Sequence, residues 1–358
     1  MFQVRSVRPD ENNLLSHVIR LIDREKWRMS SNTCELILLI DPTAIYVGEL
    51  NGKPIGFVVF MKYNDAYGFV SVFIIDAEYR GHGYGKQLFD AAISAISHPQ
   101  NMALCSVDSM VLKYKKHGFE PLWLLHDYGI EIEIALQALN RGFASIPQYH
   151  AQMVDQLYDD SLINYDAEVF GHERKEFLRY FIRSCNGLAR MALDTAGNIV
   201  GYLATTEAIN KKHGYIVGPL YADYIDVAAV MLISLFEAIL SKHGNERQVR
   251  APNICVIIPQ VNPEAKRLID MMRGTLLDTY SFSATNGNPK GCLSKWAANL
   301  IESELDKFAD WILSYVPEPI KKTVKEAADK RVERLKERIK RLHEEVEDRF
   351  TPKEQQTA

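Results

Sequence analysis

Residues 4–7, two valines flanking Arg5 and Ser6, read as a first strand. Pro9-Asp10-Glu11 reads as a helix entrance. Leu14, Leu15, Val18, Ile19 and Ile22 then recur at three- and four-residue steps, the spacing of one helix face. Residues 43–50 and 54–62 read as strands joined at Asn51-Gly52. That pair favours a two-residue hairpin turn, because both residues tolerate positive φ. Gly56 inside the second strand predicts a bulge or a close backbone approach. A turn at Asn64-Asp65-Ala66 leads into an unbroken apolar run over 68–75, read as a buried strand, and residues 87–96 return to helical spacing. After a break at 98–101, residues 102–107 form another buried strand. A helix over 110–117 follows, with Asp108-Ser109 as its N-cap, and Gly118 ends it before a strand starts at Phe119. The order is strand, helix, three strands, a glycine-rich loop, helix, strand, helix, strand. That is an α+β layout with an antiparallel start.

The loop is Arg80-Gly81-His82-Gly83-Tyr84-Gly85-Lys86. It lies between a buried strand and a helix, so its glycines fall at the helix entrance. The first N–H groups of a helix have no partner inside it, and the helix dipole is positive there. Glycines let the backbone close on a pyrophosphate, and Arg80 and Lys86 can add positive charge. A Walker A loop is excluded, because no Lys-Ser or Lys-Thr pair follows the glycines. The dinucleotide spacing G-x-G-x-x-G fails as well. What fits is [Arg/Gln]-x-x-Gly-x-[Gly/Ala], and this resembles the coenzyme A pyrophosphate loop of the GCN5-related N-acetyltransferases (GNAT). Residues 75–79 resemble that family's approach to its Arg. Tyr114-Lys115-Lys116-His117-Gly118-Phe119 resembles its second diagnostic segment, at the right distance after the first. The Asn that the family carries shortly before this Tyr is absent; Val107 or Asp108 stands near that position.

The resemblance implies the GNAT fold, a mixed and mostly antiparallel twisted sheet flanked by helices. It implies acetyl-CoA as co-substrate, bound along Phe73, Ile74 and Ile75 and by residues 80–86 (Arg80, Gly81, His82, Gly83, Tyr84, Gly85 and Lys86). Pantetheine carries amides, so it can pair with a splayed strand as an added strand would. A backbone N–H of the same strand can meet the carbonyl oxygen that becomes negative during acyl transfer. Tyr114 faces the thioester sulfur in this reading and either gives the leaving thiolate its proton or packs on the co-substrate. Many family members carry a Glu on the strand before the loop; here 69–75 contains no acid. Asp108 is the candidate for binding the amine or taking its proton, with helix capping as its other reading. Trp27 lies where the family covers the acceptor side, and is either an acceptor-lining residue or a half-buried packing aromatic.

The strand pattern of 121–134 runs through 135–143 into a linker with Gly142 and Pro147, and a second unit starts there. Gly197-Asn198-Ile199-Val200-Gly201-Tyr202 echoes Gly52-Lys53-Pro54-Ile55-Gly56-Phe57, and residues 213–221 can be laid on 67–75. Carried on without a gap, this puts Asp226 opposite Arg80, Ala229 opposite Gly83 and Met231 opposite Gly85. An acid and a bulky side chain there oppose a pyrophosphate. Asn262-Pro263-Glu264-Ala265 has the character of the second segment without its Tyr. The division is therefore an acetyltransferase domain over 1–142, a degenerate copy over 147–296 and a helical extension over 297–358. The resemblance covers roughly the first 295 residues and is firmer in the first half. The second unit can wall the acceptor site, with Asp166, Glu168 or Asp223 meeting a cationic substrate or capping helices and turns. From Pro317 on, Val324, Ala328, Val332, Leu335, Ile339, Leu342 and Val346 recur amid Lys, Arg and Glu. That predicts one long amphipathic helix that could dimerise, bind a partner or lie back on the body.

Composition narrows the class. A chain of 358 residues is ample for two cores. Its net charge of −4 gives no reason to expect nucleic-acid binding. Cys34, Cys105, Cys185, Cys255 and Cys292 are scattered, with no C-x-x-C pair, which argues for a reducing compartment and against zinc or a disulfide framework. No apolar run approaches membrane-spanning length; the richest, 228–240, is interrupted by Glu237. The expectation is a cytoplasmic enzyme without metal or membrane partner, acetylating the amine of a small molecule. A protein amine as acceptor and a non-catalytic acyl-CoA-binding module are the alternatives.

Overall fold

The computed structural model describes residues 1–30, 33–96, 99–143, 146–156, 160–243 and 252–287. The helix expected after Pro317 and the whole extension over 297–358 lie outside them. In the first half the elements are β1 (Phe2–Ser6), α1 (Asn12–Arg24), α2 (Thr33–Ile40), β2 (Ile45–Leu50), β3 (Lys53–Lys62), β4 (Tyr67–Ile75), α3 (Tyr84–Ala95), β5 (Asn101–Ser106), α4 (Asp108–Lys115), β6 (Glu120–Glu131) and α5 (Ile132–Phe143). The second half contributes β7 (Tyr149–Val154), α6 (Ser161–Phe170), α7 (Lys175–Ser184), β8 (Ala189–Asp194), β9 (Ile199–Glu207), β10 (Tyr215–Ala222), α8 (Ile225–His243), β11 (Asn253–Pro259), α9 (Pro263–Met271) and β12 (Thr275–Ala284).

One sheet runs through both halves, in the order β1-β2-β3-β4-β5-β12-β6-β11-β10-β9-β8-β7. Each half supplies an antiparallel meander at the outside and one parallel pair, β4 with β5 and β10 with β11. At the centre the halves exchange strands. β12, the last strand among the described residues, pairs with β5 of the first half, and β6 pairs with β11 of the second. A cut between 142 and 147 therefore divides the chain but not the sheet, and Met1–Pro289 forms one compact unit.

Alternation fixes which helices cover which face. Val47, Phe57, Val59, Val72 and Ile74 point to α1 and α2, where Leu14, Leu15, Val18, Leu21 and Ile22 complete a core. Each such side chain contributes roughly 1.5–3 kcal/mol when fully buried. Tyr46, Val58, Phe60, Val70 and Ile75 point the other way, to Leu88, Phe89 and Ala92 of α3 and to Tyr114 of α4. The second half repeats the scheme, with α6 and α7 on one side and α5, α8 and α9 on the other.

Two elements differ from the sequence expectation. Residues 33–40 form a helix that apolar periodicity did not isolate, because an almost wholly apolar octamer has no distinct face. Residues 132–143 are a helix, not a run into a linker: Ile132, Ala135 and Leu139 lie on one stripe and are buried against α8. Asp108 is the first residue of α4 rather than its cap. Val107 holds the cap position, and no side chain caps the helix.

Candidate active site

Three features meet where β4 ends. The first is a wedge in the sheet. β4 and β5 pair only from Tyr67↔Asn101 to Val70↔Leu104. Beyond that, β5 pairs with β12 through Cys105↔Phe282 and Ser106↔Ser281, while β4 stays with β3 as far as Gly56↔Ile75. The cause is a bulge. Val58 pairs with Phe73 and Phe60 with Val70, so Ser71 and Val72 together oppose Val59. The extra residue also explains why Val70 and Phe73 share a face, which strict alternation forbids. The predicted residues Phe73, Ile74 and Ile75 line the separated part of β4. Gly56 permits this geometry. A Cβ there would stand 2.8 Å from the Ile74 carbonyl oxygen and 2.3 Å from the Ile75 side chain.

The second feature is the loop. Gly81 and Gly83 take φ of +82° and +81°, and a Cβ on either would meet open space. Conformation, rather than crowding, therefore selects glycine at these two positions. Gly83 is the N-cap of α3, and no side chain caps that helix. The N–H groups of Tyr84, Gly85 and Lys86 belong to the first turn, which has no acceptor within the helix. A Cβ on Gly85 would stand 3.4 Å from both Phe73 and Ile75, so the loop sits directly on the end of β4.

The charges of the loop are committed more than the sequence suggests. Arg80 donates from Nε to the Ile75 carbonyl at 2.8 Å and from its terminal nitrogen to Glu25 at 2.6 Å. It braces the loop against β4 and α1 instead of standing as a free cation. Lys86 pairs with Asp90 one turn along α3. His82 is within hydrogen-bond distance of the Arg80 carbonyl at 2.9 Å, and its ring stacks on Tyr84. The anion donors this leaves are chiefly backbone N–H groups.

The third feature is Tyr114. Its ring contacts Phe73 of the separated strand, Phe89 and Phe119, with centroids 6.4, 5.6 and 6.2 Å away. The residue is 8 % exposed, and burial pushes its phenol well above the usual value, so it stays protonated. Asp108 is exposed at the start of α4, two residues past the end of β5, on the rim of the wedge. Ser106, which the sequence did not single out, is the last residue of β5 and pairs with Ser281 of β12. Its Oγ is buried without a hydrogen-bond partner. Nothing local marks this serine in the sequence.

Other expected site residues are elsewhere. Asp166 is 1 % exposed and locked in a bidentate pair with Arg174 at 2.7 and 2.8 Å, with the Tyr202 hydroxyl also donating to it. Arg174 lies 3.7 Å over the Phe170 ring. Asp166 is thus a structural anion and not open to substrate. Asp223 is half-buried and accepts from the Tyr165 hydroxyl at 2.9 Å, just past the end of β10. Trp27 is half-buried against the core beneath α1 and α2, its packing role. Among the described residues no cluster of His, Cys, Asp and Glu could hold a metal, and no helix is long and apolar enough to cross a membrane.

In the second half the corresponding junction has no loop. β10 ends at Ala222 and α8 starts at Ile225. Met231 is fully buried, and its methyl would stand 3.0 Å from a Cβ on Gly201, the counterpart of Gly56. Asp226 lies in the first turn of α8.

Models of an acetyltransferase (GNAT) domain match residues 41–121 and again, with a second model of the same description, residues 162–273. The chain belongs to the GNAT acetyltransferase family. It holds two such domains in tandem, and it is an acyltransferase enzyme. An uncharacterised protein from Caenorhabditis elegans is 25% identical over 226 residues, 58% of this chain and 68% of that protein. A holothin acyltransferase from Pseudoalteromonas is 23% identical over 207 residues, 56% of this chain and 63% of that enzyme, just under two thirds of its length. A tandem GNAT protein from the clavulanic acid biosynthesis pathway shares the fold with a TM-score of 0.57 at 12% identity, over 79% of this chain and 98% of that one.

Proposed function

We propose that the chain transfers acetyl from acetyl-CoA to the amine of a small molecule, by direct attack on the thioester at the β4–β5 wedge. The observation that carries this reading is the coincidence of the wedge with an uncapped helix entrance whose glycines present their backbone. Pyrophosphate would sit on the N–H groups of residues 83–86, and pantetheine would enter between β4 and β5 as an added strand. An N–H of the separated segment 73–75 would meet the carbonyl oxygen as charge develops. Tyr114, kept protonated by burial, would give its proton to the departing thiolate. The amine must lose a proton first, since an alkylammonium has a pKa of about 10. Asp108, exposed at the start of α4, is the candidate for that task, and in the first turn it also suits the helix dipole.

The second half would bind no coenzyme A, because β10 passes into α8 with no room for a pyrophosphate loop. A small acceptor is favoured over a protein amine by the Pseudoalteromonas relative, which is named for a compound. The test is thiol release from acetyl-CoA across a panel of small amines and lysine peptides, with wild type and Asp108→Asn. Acceleration by a small amine, at least ten-fold lower in the variant, is the expected result. Acceleration by peptides alone would overturn the acceptor class, and an unchanged Asp108→Asn would remove Asp108 from the mechanism.

A further inference from the structure

The face of the sheet opposite α3 and α4 is covered unevenly. Between the core under α1 and α2 and the core under α6 and α7 the buried cluster is small: Tyr67, Ala103, Phe282 and Ala284. Phe69 and Trp123 beside it are only half-buried, and Cys105 is exposed. Register puts these side chains on one face, through Phe69↔Ala103, Cys105↔Phe282 and Phe282↔Trp123. Phe69 also pairs with Met61, which belongs to the core under α1 and α2, so this face is turned away from Tyr114. Cys105 stands next after Val70↔Leu104, where β4 leaves β5. The half-open aromatic surface therefore starts at the wedge.

Two observations bear on what this surface can hold. Its rings lie in parallel pairs, Trp123 on Phe282 at 4.5 Å and 9°, and His172 on Tyr67 at 5.3 Å and 12°. On β5 the rungs of these pairs fall at Cys105 and Asn101, with Phe69 on the rung between them. At about 3.3 Å per residue the pairs are roughly 13 Å apart. Ring faces offer apolar area and favour another flat ring. The second observation concerns charge. Farther along β6 and β12, Asp127 and Asp278 both pair with Arg28, and Asp127 is 1 % exposed. Their charge is already met, so a polycationic amine gains little from them.

We infer that this surface holds the acceptor, and that the acceptor carries its amine on a flat aromatic or heteroaromatic body. The inference rests on the acyl-transfer reading above and names the substrate class of that site. In that reading Tyr114 meets the thioester sulfur from the α4 side, so the amine comes to the carbonyl from the opposite face. The ring lies against Phe69 and the Cys105–Phe282–Trp123 rung, and the amine reaches the wedge where β4 parts from β5. The N–C bond forms as the C–S bond breaks, and the departing thiolate takes the Tyr114 proton. Through Phe282 of β12 the second half sets acceptor specificity without binding coenzyme A.

Thiol release from acetyl-CoA by the full chain, with amines matched in size, tests this. 2-Phenylethylamine and tyramine are set against 2-cyclohexylethylamine, hexylamine and spermidine. The aromatic amines should exceed the others by about ten-fold in kcat/KM. Cys105→Arg, at an exposed position, should raise the KM for 2-phenylethylamine by about five-fold or more, because the new side chain covers the surface with charge. The acetyl-CoA Kd of that variant, by calorimetry, should stay within about two-fold, since Cys105 faces away from α3 and α4. Phe69→Leu should shrink the preference for phenyl over cyclohexyl to about three-fold or less, an effect that loss of stability alone does not produce. Equal kcat/KM for 2-phenylethylamine and 2-cyclohexylethylamine, or an unchanged acceptor KM in Cys105→Arg, would overturn the inference and leave acyl transfer standing. No acceleration by any amine, aromatic or saturated, would overturn the acyl-transfer reading and the inference with it.

Discussion

β4 runs into α3 through eight residues, and β10 runs into α8 through two. The halves otherwise share their plan: a hairpin, a glycine under the end of the fourth strand, and a parallel partner that leaves early. Both fourth strands are irregular near their middle, β4 between Val70 and Phe73 and β10 between Val217 and Leu220. What separates them is the helix entrance. In the first half it is uncapped and opens through Gly81 and Gly83. In the second, the strand feeds straight into a helix whose Met231 fills the space under Gly201. One fold therefore has an open helix entrance where its loop is long and glycine-rich, and a filled one where the loop is short.

The largest effect that would sharpen this contrast is expected from the second half. Asp166→Asn leaves Arg174 buried without its charge partner, and a broken buried pair costs about 3–5 kcal/mol. Urea titration should show that loss, while the KM for acceptor among surviving molecules stays within two-fold. A raised KM at unchanged stability would return Asp166 to the substrate site. Tyr114→Phe comes next. Loss of a general acid lowers turnover by about 100-fold or more, and acetyl-CoA affinity should hold within two-fold. Because the phenol is raised by burial, its proton is still present when the acceptor amine deprotonates, so alkaline pH up to about 9 should not reduce the Tyr114 contribution. Equal turnover of the two proteins would leave Tyr114 a packing residue.

Much of the first half was legible because its signals are local. The apolar stretch over 68–75, the glycines at 81, 83 and 85 and the helix that follows are contiguous, and each reports its own backbone. The bulge at Ser71-Val72 was foreseen only as an opening in the strand. Its position depends on register against β3. The strand exchange was invisible, because β12 meets β5 across about 180 residues and either pairing satisfies the same apolar pattern. Asp166 read as a substrate carboxylate because its partners, Arg174 at the start of α7 and Tyr202 on β9, reach it only once α6, α7 and β9 are packed. Arg80 read as a free cation for the same reason: Glu25 sits at the end of α1, 55 residues earlier.

Smaller effects probe that brace. Glu25→Gln should weaken acetyl-CoA binding by roughly three- to ten-fold, about 1 kcal/mol, through a looser loop. An unchanged affinity would show that Ile75 alone holds Arg80. Lys86→Ala should matter least, under about two-fold, since Lys86 is exposed and already paired with Asp90. A ten-fold loss would mean that Lys86 leaves Asp90 for the phosphates.

The most direct test of the contrast is the stoichiometry of acetyl-CoA binding by calorimetry, on wild type and on Gly83→Glu. A side chain at Gly83 meets open space, so the fold should survive with only the strain of a positive φ, about 1–2 kcal/mol. The carboxylate would stand where the pyrophosphate is expected. One molecule bound per wild-type chain, and none to the variant, is the predicted result. Two molecules per chain, or wild-type binding by Gly83→Glu, would contradict the account.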